Sequence, residues 1–210
     1  MRTILLSLAL AAGGLAQAPK LGVFTNAGDV GDPAIRGNTT FDADRKEYRV
    51  TGAGANVWAK ADQFQYVWRE MAGELTVSAT MTFLGEGVDH RKAGIMLRQS
   101  LETGSPYVDW IVHGNGMAAV QWRNTKDDIT NAADFPVTGP GKYRLKLVRT
   151  GSTVTVFLAK GDAEVKEVLH TQVALGNPVL AGLAVCSHNA EAQDTVVFSD
   201  VSIEAGKPSK

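Results

Sequence analysis

The chain has 210 residues with nearly balanced charge, and these bulk properties exclude several classes of protein. Lysine and arginine number 21 and aspartate and glutamate 22, which gives a formal net charge of −1 at pH 7. This balance provides no large positive electrostatic potential to attract nucleic acid or an anionic membrane, so neither is expected as a partner. Cys186 is the single cysteine, so no intrachain disulfide can form and hydrophobic burial must hold the fold. The oligomeric state stays open.

The N-terminus has the three parts of a secretory signal peptide. Arg2 supplies a positive charge, residues 4–12 are apolar apart from Ser7, and small residues follow up to Ala18. This run is too short for a transmembrane helix, and no later segment is apolar enough to anchor the chain. A buried N-terminal helix is the alternative. We expect a signal peptide at 1–16, secretion or release to the periplasm, one domain at 17–204 and a flexible tail at 205–210.

Alternation of apolar and polar residues dominates the rest of the chain. Residues 75–83 place Leu, Val, Ala, Met and Phe on one face and Ser or Thr on the other, as in a half-buried strand. Residues 143–148 and 153–158 flank a glycine-containing break and indicate a hairpin. Residues 162–169 fit a turn and a strand better than a short helix. The same pattern predicts further strands at 47–50, 56–59, 64–69, 93–99, 107–113, 117–123, 179–186 and 195–203. Ten to twelve short strands without βαβ spacing predict an all-β antiparallel sandwich.

The alternation also sorts the residues of four strands between an inward and an outer face. The predicted inward residues are Ile95, Leu97, Val108, Trp110, Val112, Ala118, Val120, Trp122, Val179, Ala181, Leu183 and Val185. The predicted outer residues are Gly94, Met96, Arg98, Tyr107, Asp109, Ile111, His113, Ala119, Gln121, Arg123, Gly182, Ala184 and Cys186, with His188 in the same register. Small residues beside hydrogen-bonding ones predict a shallow polar trough suited to an oligosaccharide. The alternative is a solvated face with cross-strand ion pairs such as Arg98 with Asp109.

An aromatic side chain completes the candidate binding surface. Trp58 lies beside the glycine-rich turn at 52–54 and is the best candidate for stacking on a sugar ring. The tryptophans at 110 and 122 and the aromatic stripe at 64, 66 and 68 fit the core instead. The charged loop at 89–92 could clamp one end of a ligand. The candidate ligand-binding residues are therefore Asn56, Trp58, His90, Lys92, Arg98, Tyr107, Asp109, His113, Gln121, Arg123 and His188.

The sequence lacks the usual marks of a hydrolase. No strand carries the alternating carboxylates that a retaining glycosidase of this architecture needs, and there is no Gly-x-Ser-x-Gly motif. No catalytic residue is assigned. An enzyme would have to use His113 or His188 with Asp109. The four histidines are scattered, so zinc is not expected and no cofactor is assigned. A structural calcium ion is the one metal considered, with candidate ligands Asp29, Asp32 and Asp200.

Five segments carry a resemblance to a known family: residues 29–31, 50–58, 90–100, 105–109 and 182–189. The run His90-Arg91-Lys92-Ala93-Gly94-Ile95-Met96-Leu97-Arg98-Gln99-Ser100 is the most specific of them. Together they resemble a poorly characterised family of secreted bacterial domains in the concanavalin A-like lectin/glucanase superfamily, some of them joined to TolB-type propellers. The resemblance implies a jelly-roll sandwich of two curved antiparallel sheets with ligands on the concave sheet. It implies no reaction, because this architecture hosts lectins, glycosidases and adhesion modules.

These observations predict a secreted, non-catalytic, lectin-like module that binds the carbohydrate of a polysaccharide or a cell envelope. The first alternative is a glycoside hydrolase or lyase that uses the same concave sheet. The second is an adhesion domain that binds another protein. The feature that separates a binding module from an enzyme is a pair of carboxyl groups, or a histidine and a carboxyl group, converging over the trough.

Overall fold

Strands are the only regular elements in the part of the chain that the structure describes. This structure is a computed structural model covering residues 21–136 and 138–206. The predicted signal peptide and residues 207–210 of the predicted tail lie outside that range. Within it, no helix has the length and apolar character needed to cross a membrane. The strands are β1 (Asn26–Val30), β2 (Asn38–Asp42), β3 (Glu47–Gly54), β4 (Val57–Trp58), β5 (Ala61–Asp62), β6 (Phe64–Met71), β7 (Leu75–Leu84), β8 (Lys92–Arg98), β9 (Tyr107–His113), β10 (Ala118–Arg123), β11 (Asn131–Asp134), β12 (Tyr143–Thr150), β13 (Thr153–Lys160), β14 (Lys166–Gln172), β15 (Val179–Cys186) and β16 (Asn189–Ala205).

The strands form two large antiparallel sheets and one small hairpin. The front sheet has the order β1-β6-β15-β8-β9-β10-β11, and the back sheet has the order β14-β13-β12-β7-β16-β3-β2. Strands β4 and β5 pair only with each other in the described chain. The two seven-stranded sheets pack face to face around a shared apolar core. The predicted all-β sandwich of two antiparallel sheets is thereby confirmed.

The core contains the side chains that alternation directs inward. In β7, Leu75, Val77 and Met81 are fully buried, whereas the serine and threonine at 76, 78 and 82 are only partly buried. Eleven of the twelve predicted inward residues of the front sheet belong to this core, and Trp122 packs against it while partly buried. The indole N–H of Trp110 donates a hydrogen bond to the carbonyl oxygen of Phe157 in the back sheet at 2.9 Å. This bond links the two sheets through the core.

The front sheet differs from the back sheet because its central strands are buried on both faces. Every residue of β8 and β9 is buried, whereas β12 alternates between buried and partly exposed residues. Segment 55–63, which contains β4 and β5 and is called the roof hairpin below, covers the outer face of the front sheet. A second apolar cluster lies there and consists of Val30, Val57, Phe64, Tyr66, Met96, Tyr107, Ala184 and Cys186. The expectation of an open trough along this whole face is therefore wrong, whereas the assignment of Phe64 and Tyr66 to a core is confirmed.

The glycines of the front sheet also have a different role from the predicted one. Gly94 and Gly182 were expected to leave room for a ligand above the sheet. A Cβ atom at position 182 would lie 2.0 Å from the carbonyl oxygen of Val67, and one at position 94 would lie 2.1 Å from that of Trp110. Backbone of the neighbouring strand therefore occupies the space, and close approach between strands is the reason for glycine.

The predicted domain boundary and the ambiguous segment near residue 165 can both be placed. Strand β16 continues to Ala205, which pairs with Leu75, and the Gly206 N–H donates to the Glu74 carbonyl at 2.6 Å. Strand β16 thus extends one residue into the predicted tail. Residues 161–163 form a turn before β14, so the interpretation of 162–169 as a turn and a strand is confirmed.

Substitution of Gly182 by alanine is expected to destabilise the fold, because the new methyl group would have to displace the backbone of β6. The expected loss is about 1–3 kcal/mol in the free energy of unfolding, which is the usual cost of overpacking. Gly28→Ala is the matched control: it lies in the same sheet, and its nearest atom would be 3.9 Å away. Urea unfolding of both variants measures the difference. Equal stabilities would contradict the close-approach explanation.

Candidate functional site

A buried carboxylate holds the roof hairpin against the front sheet. The side chain of Asp62 is fully buried, and its Oδ2 atom accepts hydrogen bonds from Arg98 Nη1 at 2.7 Å and Arg123 Nη1 at 2.8 Å. Its Oδ1 atom accepts a further bond from Arg123 Nη2 at 2.9 Å. Both arginines are also fully buried. Charged groups are rare in such surroundings unless they are paired and hydrogen-bonded, as these three are.

Backbone carbonyl groups satisfy the remaining guanidinium protons. Arg123 donates to the carbonyl oxygen of Ala59 from Nε at 3.0 Å and from Nη2 at 2.8 Å, and to that of Ser105 at 3.0 Å. Arg98 donates to the carbonyl oxygens of Ser100 at 2.8 Å and Thr103 at 3.0 Å. The two side chains therefore fasten the roof hairpin and the loop at 99–106 to the sheet.

Four of the predicted ligand-binding residues lie beneath this cover rather than at a surface. They are Arg98, Tyr107, Asp109 and Arg123, each at most 1% exposed. The alternative pairing of Arg98 with Asp109 is also wrong, because the β8–β9 register places Met96 opposite Asp109. Arg98 pairs with Asp62 instead of Asp109, and Asp62 was not among the predicted site residues.

The other seven predicted residues converge on one pocket of about 220 Å³ beside the roof hairpin. They come from the hairpin, from the loops before β8 and after β15, from the first residue of β8, the last residue of β9 and the middle of β10. Two residues that were not predicted, Met117 and Asp134, complete the lining. The pocket is lined by Asn56, Trp58, His90, Lys92, His113, Met117, Gln121, Asp134 and His188.

Lys92 orients two amide side chains of this pocket. Its Nζ atom donates to Asn56 Oδ1 at 2.9 Å, to the Val57 carbonyl oxygen at 2.8 Å and to Gln121 Oε1 at 3.2 Å. An ammonium group has three protons, so these acceptors match it. Because both amide oxygens are bound to Lys92, both amide nitrogens are left to donate to a ligand. The Lys92 Nζ atom also lies 5.3 Å from the centre of the Trp58 ring.

Three histidines form one wall of the pocket. The His90 ring centre lies 5.6 Å from that of His113 and 5.7 Å from that of His188. The Nδ1 atom of His113 lies 3.2 Å from the Met117 carbonyl oxygen, which can only accept, so Nδ1 carries the proton. The neutral ring then leaves Nε2 as an acceptor.

Burial dominates the titration of the pocket's ionisable groups. Burial and, as the next largest cause, the nearby Lys92 ammonium together lower the pKa of His113 to about 4. Burial also lowers the pKa of His188. Beneath the pocket, burial raises the pKa of Asp109 well above its usual range, which Lys92 opposes. Burial lowers the pKa of Lys92, and the Asp109 carboxylate opposes this.

The pairing of a histidine with Asp109, on which the enzyme alternative depends, is not formed. Asp109 Oδ1 accepts the backbone N–H of Gln121 at 3.2 Å, whereas His113 bonds the backbone at Met117. Among the described residues that line the pocket, Asp134 is the one carboxylate. A pair of carboxyl groups facing each other across a substrate is therefore not assembled by that lining.

Two of the three carboxylates that were candidates for calcium, Asp29 and Asp200, lie in different sheets. Both carboxylate oxygens of Asp29 lie 3.0 Å from the Gly37 N–H. Asp200 lines a groove of about 520 Å³ on the outer face of the back sheet, beside Arg144 and Lys146. Within the described ranges, no group of three or more His, Cys, Asp or Glu side chains is arranged to hold a metal ion. The larger groove on the back sheet contains none of the predicted ligand-binding residues.

Replacement of Asp62 by asparagine is expected to destabilise the protein by about 3 kcal/mol or more, because two buried guanidinium groups lose their counter-charge. Asp42→Asn is the control, since that carboxylate is half exposed and its contact with Arg45 is 3.8 Å long. The control is expected to change stability by less than about 0.5 kcal/mol. Urea unfolding followed by tryptophan fluorescence compares them, and similar losses would contradict the role given to Asp62.

His113 is expected to make the fold sensitive to acid. The unfolded chain binds a proton at His113 near pH 6.5, but the folded chain does so only near pH 4, so stability falls as the pH falls through this window. Between pH 7 and pH 4.5 the protonation of His113 is expected to cost wild type about 2–2.5 kcal/mol, and this contribution is absent from the His113→Asn variant. Urea unfolding at pH 7 and pH 4.5 measures it, with exposed His170→Asn as the control. An equal pH dependence in all three proteins would contradict the assignment.

The fold has counterparts among solved structures. No protein-family model matches the chain, and no curated protein matches it. A functionally unknown protein from Saccharomyces cerevisiae superposes with a TM-score of 0.67 at 14% identity, over 86% of this chain and 97% of that chain. The carbohydrate-binding module CBM66 from Bacillus subtilis has a TM-score of 0.57 at 16% identity, over 89% of this chain and 100% of that chain.

A third similar structure is the exoplasmic/lumenal domain of VIP36 in its Ca²⁺/Man3GlcNAc-bound form. It has a TM-score of 0.53 at 9% identity, over 83% of this chain and 84% of that chain. At such identities the likeness is evidence for the fold alone. The chain has the β-sandwich fold that occurs in carbohydrate-binding modules and lectins.

Proposed function

We propose that this protein is a non-catalytic carbohydrate-binding module and that the pocket beside the roof hairpin is its binding site. The observation that carries the proposal is the position of Trp58. Trp58 is 38% exposed at the pocket, and among the described residues it is the one Phe, Trp or Tyr that is exposed. An exposed aromatic ring beside fixed polar groups is suited to a sugar, which has apolar C–H faces and a hydroxyl periphery.

The polar groups around Trp58 include both the donors and the acceptors that hydroxyl groups need. The amide nitrogens of Asn56 and Gln121 donate, whereas His113 Nε2 and the Asp134 carboxylate accept. A hydroxyl group both donates and accepts, so it can bond to either kind of partner. The pocket therefore offers complementary partners to neighbouring hydroxyls of one ring.

Binding fits this pocket better than hydrolysis does. General acid–base cleavage of a glycosidic bond ordinarily uses two carboxyl groups on opposite sides of the bond. The described lining supplies Asp134, and Asp109 lies beneath the floor with its Oδ1 atom bonded to a backbone N–H. The signal-peptide pattern at 1–16 supports action outside the cytoplasm on polysaccharide or envelope glycans.

The proposal is tested by glycan-array binding of the purified mature protein, with and without EDTA to examine calcium dependence. Trp58→Ala is expected to weaken binding about tenfold or more, because it removes a stacking surface contributing about 1.5 kcal/mol. Gln121→Ala should weaken binding as well, because it removes a donor that Lys92 holds in place. Arg98→Ala is unsuitable as a site variant, since Arg98 supports the roof hairpin.

Ile129→Ala is the matched control for Trp58→Ala. Its side chain is 60% exposed and lies outside the pocket lining, so its truncation should leave glycan binding unchanged. Circular dichroism and urea unfolding check that each variant is folded. A folded wild-type protein that binds no glycan on a broad array would exclude this proposal and favour recognition of a protein.

A further inference from the structure

The size of the pocket limits how much of a saccharide it can enclose. Its volume is about 220 Å³, which is smaller than the roughly 300–1,000 Å³ of pockets that enclose drug-sized ligands. One sugar ring is therefore the largest unit that it can surround. Neighbouring rings of an oligosaccharide would have to remain outside the lining residues.

The roof hairpin prevents a sugar chain from running through the pocket along the front sheet. On the side away from the histidines, the outer face is filled by the second apolar cluster and by Asp62 with its two arginines. These three charged side chains have no exposed surface. Because the Lys92 ammonium fastens the hairpin at Asn56 and Val57, the pocket ends at this wall. A ring that enters can continue into a chain only on the solvent side.

The charges around the pocket favour an uncharged ligand. Among the described lining residues, Lys92 is the one lysine and Asp134 is the one carboxylate, and their charges have opposite signs. All three Lys92 protons have protein acceptors, so the ammonium is not free to bind a ligand carboxylate directly. His113 Nε2 and the Asp134 carboxylate are both hydrogen-bond acceptors. The carboxylate of an anionic sugar also only accepts, so no hydrogen bond could form between them. A neutral polyhydroxylated ring meets none of these obstacles.

We propose that the pocket binds the uncharged terminal residue of a saccharide chain and excludes residues within the chain. This inference rests on the proposed carbohydrate-binding function and specifies the ligand of the same site. The protein would then recognise chain ends, so the number of its binding sites on a polysaccharide scales with the number of chain ends and not with the chain length.

The test uses a glycan array that carries neutral and acidic oligosaccharides, followed by calorimetry with the soluble forms of those that bind. The bound set is expected to share one uncharged terminal residue, whatever the inner residues are. Capping that residue with one further sugar should reduce binding at least about tenfold. The free monosaccharide should bind within about threefold of a trisaccharide that ends in it, because the inner rings touch little of the protein.

Each other outcome decides against one of the two proposals. Affinity that rises steadily with chain length, or binding that survives capping, would show a groove for internal residues and overturn the chain-end inference while leaving carbohydrate binding intact. Preferred binding of terminal uronic or sialic acids would overturn the inference of an uncharged ligand. No bound glycan at all would overturn the proposed function, and the inference with it.

Discussion

One carboxylate between two guanidinium groups determines which part of the front sheet remains accessible. Asp62 lies on the roof hairpin, whereas its partners Arg98 and Arg123 end two strands of the sheet below. All three charges are buried, so removal of Asp62 would leave two guanidinium groups without a counter-charge. The ion pairs thus hold the roof hairpin over one part of the outer face. The uncovered part is a pocket that the hairpin bounds on one side. The same face without the hairpin would be an open polar surface.

A second cation acts at the opposite end of the hairpin in a different way. Lys92 also binds hairpin acceptors, but one of its partners belongs to the sheet, and both amides it holds line the pocket. Structural support and the proposed ligand recognition therefore depend on one side chain there, whereas Asp62 and its arginines act in support alone. The likeness to carbohydrate-binding modules and lectins concerns the two sheets. The site depends on the hairpin and loops added to them, which is where this fold class varies its function.

The sequence predicted the sheets well because a period of two is a local signal. The strands at 107–113 and 179–186 have the predicted bounds, and the sorting of their inward residues agrees with the core. Short exposed strands such as β2 and β11 were missed because they carry little apolar alternation. Residues 56–59 were predicted as a full strand, but only 57 and 58 are extended, and Ala59 has φ of 50° in the hairpin turn.

The candidate site was predicted in part for the same reason. Alternation identifies the residues of the outer face, and seven of the eleven candidates do line one pocket. The alternation contains no information on which other segment covers that face. Asp62 contacts arginines 36 and 61 residues further along the chain, and no local pattern marks such contacts. Glycine was likewise ambiguous, since a missing side chain leaves room either for a ligand or for neighbouring backbone.

The three hydrogen bonds of the Lys92 ammonium affect the expected ligand affinity, because they order pocket side chains before a ligand binds. Free amide side chains sample several rotamers, and a ligand that orders them loses about 0.5–1.5 kcal/mol of conformational entropy for each. Asn56 and Gln121 are already held in one orientation before any ligand arrives. Their ordering is part of folding and not of binding. Two such preorganised donors would raise affinity about tenfold to a hundredfold over mobile ones, which matters most in a pocket too small to gain affinity from area.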